Sequence, residues 1–446
     1  MDASTESKHG WTQLSDGYLT KTPIFQFIVV SLIFPLWGCA SSLNDILITQ
    51  FKTVFSLNDA STAFVQSAFY GGYFLIAIPA SLVIKKNTYK FAIMTGLIFY
   101  IIGCALFFPA SRIATYSMFL VAIFAIAVGL SFLETSCDTY SSMLGPKKFS
   151  TIRLNISQTL VPLGDIAGIL LGKYLIFGKV GNLADKMAGM HGAARVAYGE
   201  KMLQMTLRPY KYILIVLVVM LIILAVTPMP RSKATNKDAK EAVEEQPKLG
   251  ESVKYLLTNS RFMKGVGAQF IYAGMQTTVW SFTIRLALNL MHISDSDASS
   301  FMVWSYIAWF VGKLVANSFM SRFSSTGVLT WFSFLGILAL IVTFTVPNVT
   351  AVYGAIATSF FFGPAWPTIY SHTLDTIKEK KYTETGGALI VMSLIGGAII
   401  PLIQGIVSDA TGSMQFSFIV PAICYVIITL YFWSEHRIDK RSGALK

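Results

Sequence analysis

Charge is scarce in this chain. Asp, Glu, Lys and Arg make up 13% of its 446 residues, about half the share that a water-soluble globular protein carries. Apolar residues make up 54% and are gathered into long runs. That combination excludes a soluble multi-domain protein and points to one embedded in a lipid bilayer. Cysteine is sparse too. Cys39, Cys104, Cys137 and Cys424 all lie inside apolar stretches, so neither a disulfide framework nor a metal-binding spacing is present. Enzyme motifs are missing: there is no Walker loop, no dinucleotide glycine fingerprint before a helix, no HExxH and no GxSxG elbow. No enzyme activity, no cofactor and no ATP-driven step within the chain is expected. The polar first 20 residues hold no apolar core before a small-residue cleavage site, so the first apolar helix is expected to act as an uncleaved insertion signal.

What the chain does have is twelve apolar segments, each near the roughly 20 residues that a helix needs to cross a bilayer. They run at about 24–50, 62–84, 89–110, 115–143, 152–178, 207–228, 262–291, 297–321, 326–346, 350–375, 384–407 and 415–434. Lipid offers the backbone no hydrogen-bond partner, so spans of this length are helices; a barrel would show short alternating strands. The expected fold class is an all-α integral membrane protein of twelve transmembrane helices in two six-helix bundles.

The basic residues give the orientation. The N-terminal segment, the loops after even-numbered spans and the C-terminal tail hold 24 of the 35 Lys and Arg residues. Loops after odd-numbered spans hold six, from Lys52 to Lys201. Lys and Arg collect on the cytoplasmic side, which places both termini there, in a plasma membrane. The same asymmetry accounts for the net charge of +12 without nucleic acid as a partner. One long polar stretch, "PMPRSKATNKDAKEAVEEQPKLGESVKY", follows span six. It divides the chain into an N-terminal bundle (1–228), a cytoplasmic linker (229–258) and a C-terminal bundle with a short tail (259–446).

Ionisable groups inside spans are rare and by default functional. Span one places Trp37, Ser41 and Asp45 at spacings of four, with Ser42 and Asn44 beside them, so an indole, hydroxyls and a carboxylate share a stripe. Indoles stack on the C–H face of a sugar, and carboxylates accept from its hydroxyls. A polar contact between helices is the plainer alternative. Span four carries Glu134 and Asp138 on one face. Two carboxylates in a low-dielectric setting resist joint ionisation, so one is expected to hold a proton near neutrality, the property a proton-coupled carrier needs. A metal site is the weaker reading there, because no His or third carboxylate completes a cage on that helix.

Span five aligns Asn155, Gln158, Pro162 and Asp165 on one stripe. The two amides suit a polyol, while Asp165 reads equally well as a partner for a cation in the bundle. Span seven offers Tyr272, Gln276 and Trp280 at spacings of four. Span ten, "FFGPAWPTIYSH", is broken by Pro364 and Pro367 and sets Trp366 and Tyr370 four apart; broken helices at membrane depth line cavities. Arg285 and Lys313 read as structural ions or as side chains snorkelling to the interface. His372 and Asp375, near the cytoplasmic end of span ten, suit a gate contact or the solvated start of a loop.

Several stretches resemble the fucose–galactose–glucose:proton symporter family of the major facilitator superfamily: "LWGCASSLNDILITQF", "VQSAFYGGYFLIAIPA", "YKFAIMTGLIFYIIGCALFFPAS", "FLET", "LNISQT", "QTTVWSFTIR", "PTIYS" and "IVMSLIGGAIIPLIQGIVSDATG". They extend from span one to span eleven. The resemblance implies two pseudo-symmetric halves rocking around a site near the bilayer midplane. It also implies that the aspartate of LND and the glutamate of LET, here Asp45 and Glu134, serve proton coupling and sugar transport. By the same matches Trp37, Gln158 and Trp280 are implied as sugar contacts. The chain departs from the family pattern at Ser41 and Ser42, where asparagines are usual, and at Val161 where the family has an asparagine. Asp165 stands in place of a small apolar residue, Asp138 in place of an asparagine, and Trp366 in place of a tyrosine.

The expected function is import of a sugar, L-fucose or a related monosaccharide, together with a proton by a monomeric carrier. The expected substrate contacts are Trp37, Ser42, Asn44, Asp45, Glu134, Asp138, Asn155, Gln158, Asp165, Gln276, Trp280, Trp366 and Tyr370. Asp138 and Asp165 leave open an amino sugar or sodium coupling on the same architecture. A non-transporting membrane sensor is the remaining alternative, and the tails are too short to carry a signalling domain.

Overall fold

The computed structural model describes residues 11–55, 59–113, 116–172, 189–190, 192–233, 247–291, 293 and 295–441. Among them the chain is helical almost throughout, with one isolated β-bridge between Gln13 and Leu19. Ten stretches are long and apolar enough to cross a membrane. They are helix one (Ile24–Leu43), two (Ala68–Lys86), three (Tyr89–Arg112), four (Tyr116–Met143), five (Lys147–Leu171), six (Ala197–Val226), nine (Ser325–Thr345), ten (Val349–Asp375), eleven (Lys380–Thr411) and twelve (Phe416–Arg441). The expected spans seven and eight are also helices, Ser260–Met291 and Asp295–Met320, long enough at 32 and 26 residues. Polar residues such as Gln269, Gln276, Lys313 and Asn317 lower their hydropathy. Large apolar side chains lie open on the outside, including Val226 at 76% and Trp331 at 68% exposed, which is stable only against lipid.

Local chemistry ends the helices where the sequence changes. Ser324 caps helix nine by accepting from the Gly327 amide at 3.2 Å, and Asn348 caps helix ten through the Thr350 amide at 2.8 Å. These side chains satisfy amides that a helix start leaves without partners. Helix eleven closes on Gly412, whose φ of 65° favours glycine.

The chain divides into two compact units. One comprises residues 1–27, 138–159 and 230–446; the other comprises 28–137 and 160–229. In the first, Arg153 is 4% exposed and grips the end of helix four, donating to the carbonyls of Ser141, Ser142, Gly145 and Pro146. A cation at a helix C-terminus faces the negative end of its dipole. In the second unit, helices one and five meet along Gly38, Gly164 and Gly168. A methyl on Gly164 would strike the Pro35 carbonyl and one on Gly168 the Ser42 hydroxyl, so the backbones touch. Helices three and six pack through the rings of Phe107 and Tyr210, 4.7 Å apart and edge to face. Lys90 closes helix six by donating to the carbonyls of Ala225 and Thr227 at 2.7 and 2.9 Å.

Candidate functional site

Helix five is in two pieces, Ser150–Gln158 in the first unit and Val161–Gly172 in the second. Around the end of the first piece lies a polar cluster. Gln158, 4% exposed, donates from Nε2 to Asp138 Oδ1 at 2.8 Å. The ammonium of Lys313 donates to the Gln158 carbonyl at 2.7 Å, and Asn317 donates to the Thr159 hydroxyl at 3.0 Å. Lys313 is 1% exposed and lies over the Trp309 ring, 4.2 Å from its centre. It therefore does not snorkel to an interface. Asn155 donates to the Thr368 hydroxyl at 3.1 Å, and the hydroxyls of Thr139 and Tyr370 meet at 2.8 Å. Of the residues expected to face a sugar, Asn155 on helix five and Tyr370 on helix ten thus bond to neighbouring helices, while Gln158 lies between Asp138 and Lys313.

Aromatic side chains form the second element of this unit. Trp280 packs edge to face on Tyr306, Trp309 and Phe362, with centroids 4.8, 5.0 and 5.6 Å away. Its indole N–H donates to the Ser359 hydroxyl at 3.2 Å. Trp280 and Gln276 are half-buried. Trp366 and Tyr370 stack at 5.1 Å and 14°, as their spacing of four implies.

Tyr272 has a different part from the one its stripe suggests. Prolines 364 and 367 interrupt helix ten, which runs as Val349–Phe362 and Ala365–Asp375. The Tyr272 hydroxyl donates to the Phe362 carbonyl at 3.1 Å and accepts from the Trp366 backbone. It bridges a carbonyl and an amide that an unbroken helix would pair with each other. Tyr272→Phe is expected to leave both unsatisfied and to destabilise the protein by about 1–3 kcal/mol. A lower melting temperature in detergent, beside an unchanged Tyr353→Phe control on the exposed face of helix ten, is the check.

In the second unit, Glu134 is 7% exposed and accepts a hydrogen bond from the Tyr73 side chain. Ser131 donates to the Tyr73 carbonyl at 3.1 Å, joining the same two helices. Trp37 is buried against Phe34, with ring centres 4.3 Å apart. The Ser42 hydroxyl donates to the carbonyls of Gly38 and Cys39 at 3.2 and 3.3 Å and is turned toward Gly168. It serves the seam between helices one and five. Asp165, 4% exposed, lies on the same seam, with Oδ2 3.1 Å from where a methyl on Gly38 would stand. Asn44 and Asp45 fall within the helical stretch Phe34–Val54, but their side chains lie outside the described residues.

Where helices seven, ten and twelve come together at one end, Arg261 donates to Glu435 at 2.6 Å and to Asp439 at 2.8 Å. His372 lies 3.1 Å from Asp439. Among the described residues, His372, Glu435 and Asp439 form the one group with metal-ligand proximity. The guanidinium already bridges both carboxylates, so the group is an ion network. Asp375 accepts from the Tyr18 hydroxyl at 3.2 Å. Burial, with Asp375 beside it, holds that phenol above its ordinary pKa.

Sequence reasoning passed over Lys313 and Asn317 as site residues. The signal was present, since Trp309, Lys313 and Asn317 follow at spacings of four and so share one face of helix eight.

Comparison with known proteins agrees with this architecture. The family model of the Major Facilitator Superfamily matches residues 24–350. The chain is 32% identical to the L-fucose-proton symporter of Escherichia coli K12, over 93% of this chain and 94% of that one. It is 30% identical to the L-fucose-proton symporter of Haemophilus influenzae, over 95% and 99%, and 29% identical to a glucose/galactose transporter of Brucella abortus, over 91% and 93%. A crystal structure of FucP, a Major Facilitator Superfamily transporter, in the outward conformation superposes with a TM-score of 0.82 at 32% identity, covering 92% of this chain and 98% of that one. The twelve-helix expectation and the family resemblance read from the motifs are borne out: this chain belongs to the major facilitator superfamily, a family of membrane transporters and not of enzymes.

Proposed function

We propose that this protein is a secondary active transporter that carries a sugar and a proton together into the cell by alternating access. The observation that carries the reading is Glu134, a carboxylate buried in an apolar span with a hydroxyl as its hydrogen-bond partner. Relatives that are L-fucose-proton symporters and glucose/galactose transporters support it over nearly the whole chain. L-fucose or a related monosaccharide is the cargo.

Glu134 takes up a proton in the outward-open state, which removes an unpaired charge from the membrane interior and favours sugar binding. The Gln158 amide offers a donor and an acceptor to sugar hydroxyls, and Trp280 and Trp366 offer faces for its C–H surface. Trp37 and Gln276 are further contacts. Asp45 hydrogen-bonds the sugar or exchanges the proton with Glu134. The loaded carrier reorients, releases both ligands to the cytoplasm and returns empty. Coupling requires that crossing with one ligand alone be disfavoured.

The protein acts as a monomer in the cytoplasmic membrane, with both termini inside and bundles 1–228 and 259–446 joined by the linker 229–258. Proteoliposomes test the reading. Labelled L-fucose is expected to accumulate when an inward proton gradient is imposed, and unlabelled monosaccharides to compete by rank. Uptake that follows sodium and ignores the proton gradient would sink the proton assignment; competition only by amino sugars would sink the cargo.

A further inference from the structure

Pro162 has no amide hydrogen. In a continuous helix residue 162 would donate to the carbonyl of residue 158, so the Gln158 carbonyl has lost its intrahelical donor. Lys313, on helix eight, supplies one at 2.7 Å. Its ammonium faces the C-terminal end of the helical piece Ser150–Gln158, where the helix dipole is negative. The Trp309 ring supports it from one turn earlier, and Asn317 holds Thr159 from one turn later. The side chain of the same Gln158 is bound to Asp138. Gln158 is thus held at its backbone by a cation and at its amide by a carboxylate.

A buried lysine is tolerated in a span only where it meets backbone carbonyls, opposite charge or water. Here it meets a carbonyl at the end of that helical piece, the one for which residue 162, being proline, has no amide hydrogen, with the carboxylate of Asp138 one hydrogen bond further on. We propose that Lys313 is a positioning residue of the sugar site: it caps the carbonyl freed by Pro162 and so fixes where Gln158 presents its amide to the cargo. The proposal rests on the reading of Gln158 as a sugar contact.

Two double-mutant cycles test it. The first is read as melting temperature in detergent and needs no sugar. Lys313→Met is expected to lower it, and to lower it much less in a Pro162→Ala background, where an amide hydrogen returns to the Gln158 carbonyl. Equal losses in both backgrounds would overturn the capping role. The second is read as KM and Vmax for uptake of labelled L-fucose or D-galactose, normalised to protein in the membrane. Lys313→Met and Gln158→Ala are each expected to raise KM roughly tenfold, the scale of one misplaced hydrogen bond. The double variant is expected to be no worse than Gln158→Ala alone, and Lys313→Arg to stay close to wild type. Multiplying effects would show that Lys313 acts independently of Gln158 and overturn the positioning role. An unchanged KM in Gln158→Ala would remove Gln158 from the sugar site and the positioning role with it, while the melting cycle still decides the cap.

Discussion

Glu134→Gln is expected to abolish accumulation of sugar against its gradient while exchange of labelled for unlabelled sugar continues. Glutamine has nearly the shape of a protonated glutamate and still accepts from Tyr73, the partner that holds Glu134 in its span. It cannot pick up or release a proton. The variant is therefore fixed in the form that binds sugar, and the pH dependence of binding is expected to vanish along with coupling. A gradient of one pH unit holds about 1.4 kcal/mol, enough for roughly tenfold accumulation at one proton per sugar. Wild-type vesicles should approach that ratio, and the variant should stop at equal concentrations inside and out. A variant that still concentrates sugar with an unaltered pH profile would remove Glu134 from the coupling path.

Gly164→Val is expected to have the largest effect on stability. A first carbon added at Gly164 lands on the Pro35 carbonyl group and its Cα. Both obstacles are backbone, so neither can rotate away. Small residues at helix contacts in membranes allow this kind of approach, and overpacking a rigid contact costs about 1–3 kcal/mol or more. Little folded carrier is expected in the membrane, and what remains should melt early. Gly71→Val is the matched control, because a methyl there meets nothing within 4 Å. Equal behaviour of the two variants would mean that the seam between helices one and five is looser than its geometry implies.

The seam also shows what a polar stripe leaves undecided. The sequence marks Ser42 and Asp165 because polar residues in apolar helices are usually functional. Both lie against the facing helix, Ser42 bonded to its own backbone and Asp165 beside Gly38. A stripe of polar residues gives the face they occupy but not whether that face meets a helix or open space. Asn155 and Tyr370 illustrate the same limit, since their polar atoms reach Thr368 and Thr139.

By itself the sequence determined the helical class, the positions of the spans and the family, because a bilayer demands long apolar runs with internally paired backbones. It also marked the helix breaks, because proline removes an amide hydrogen wherever it stands. What fills those breaks was decided by tertiary structure alone. Lys313 reaches Gln158 across 155 residues of chain, and Tyr272 reaches Phe362 across 90. An open carbonyl is a local fact of the backbone, while the donor that satisfies it depends on which helix packs alongside and on which of its side chains has the length to arrive.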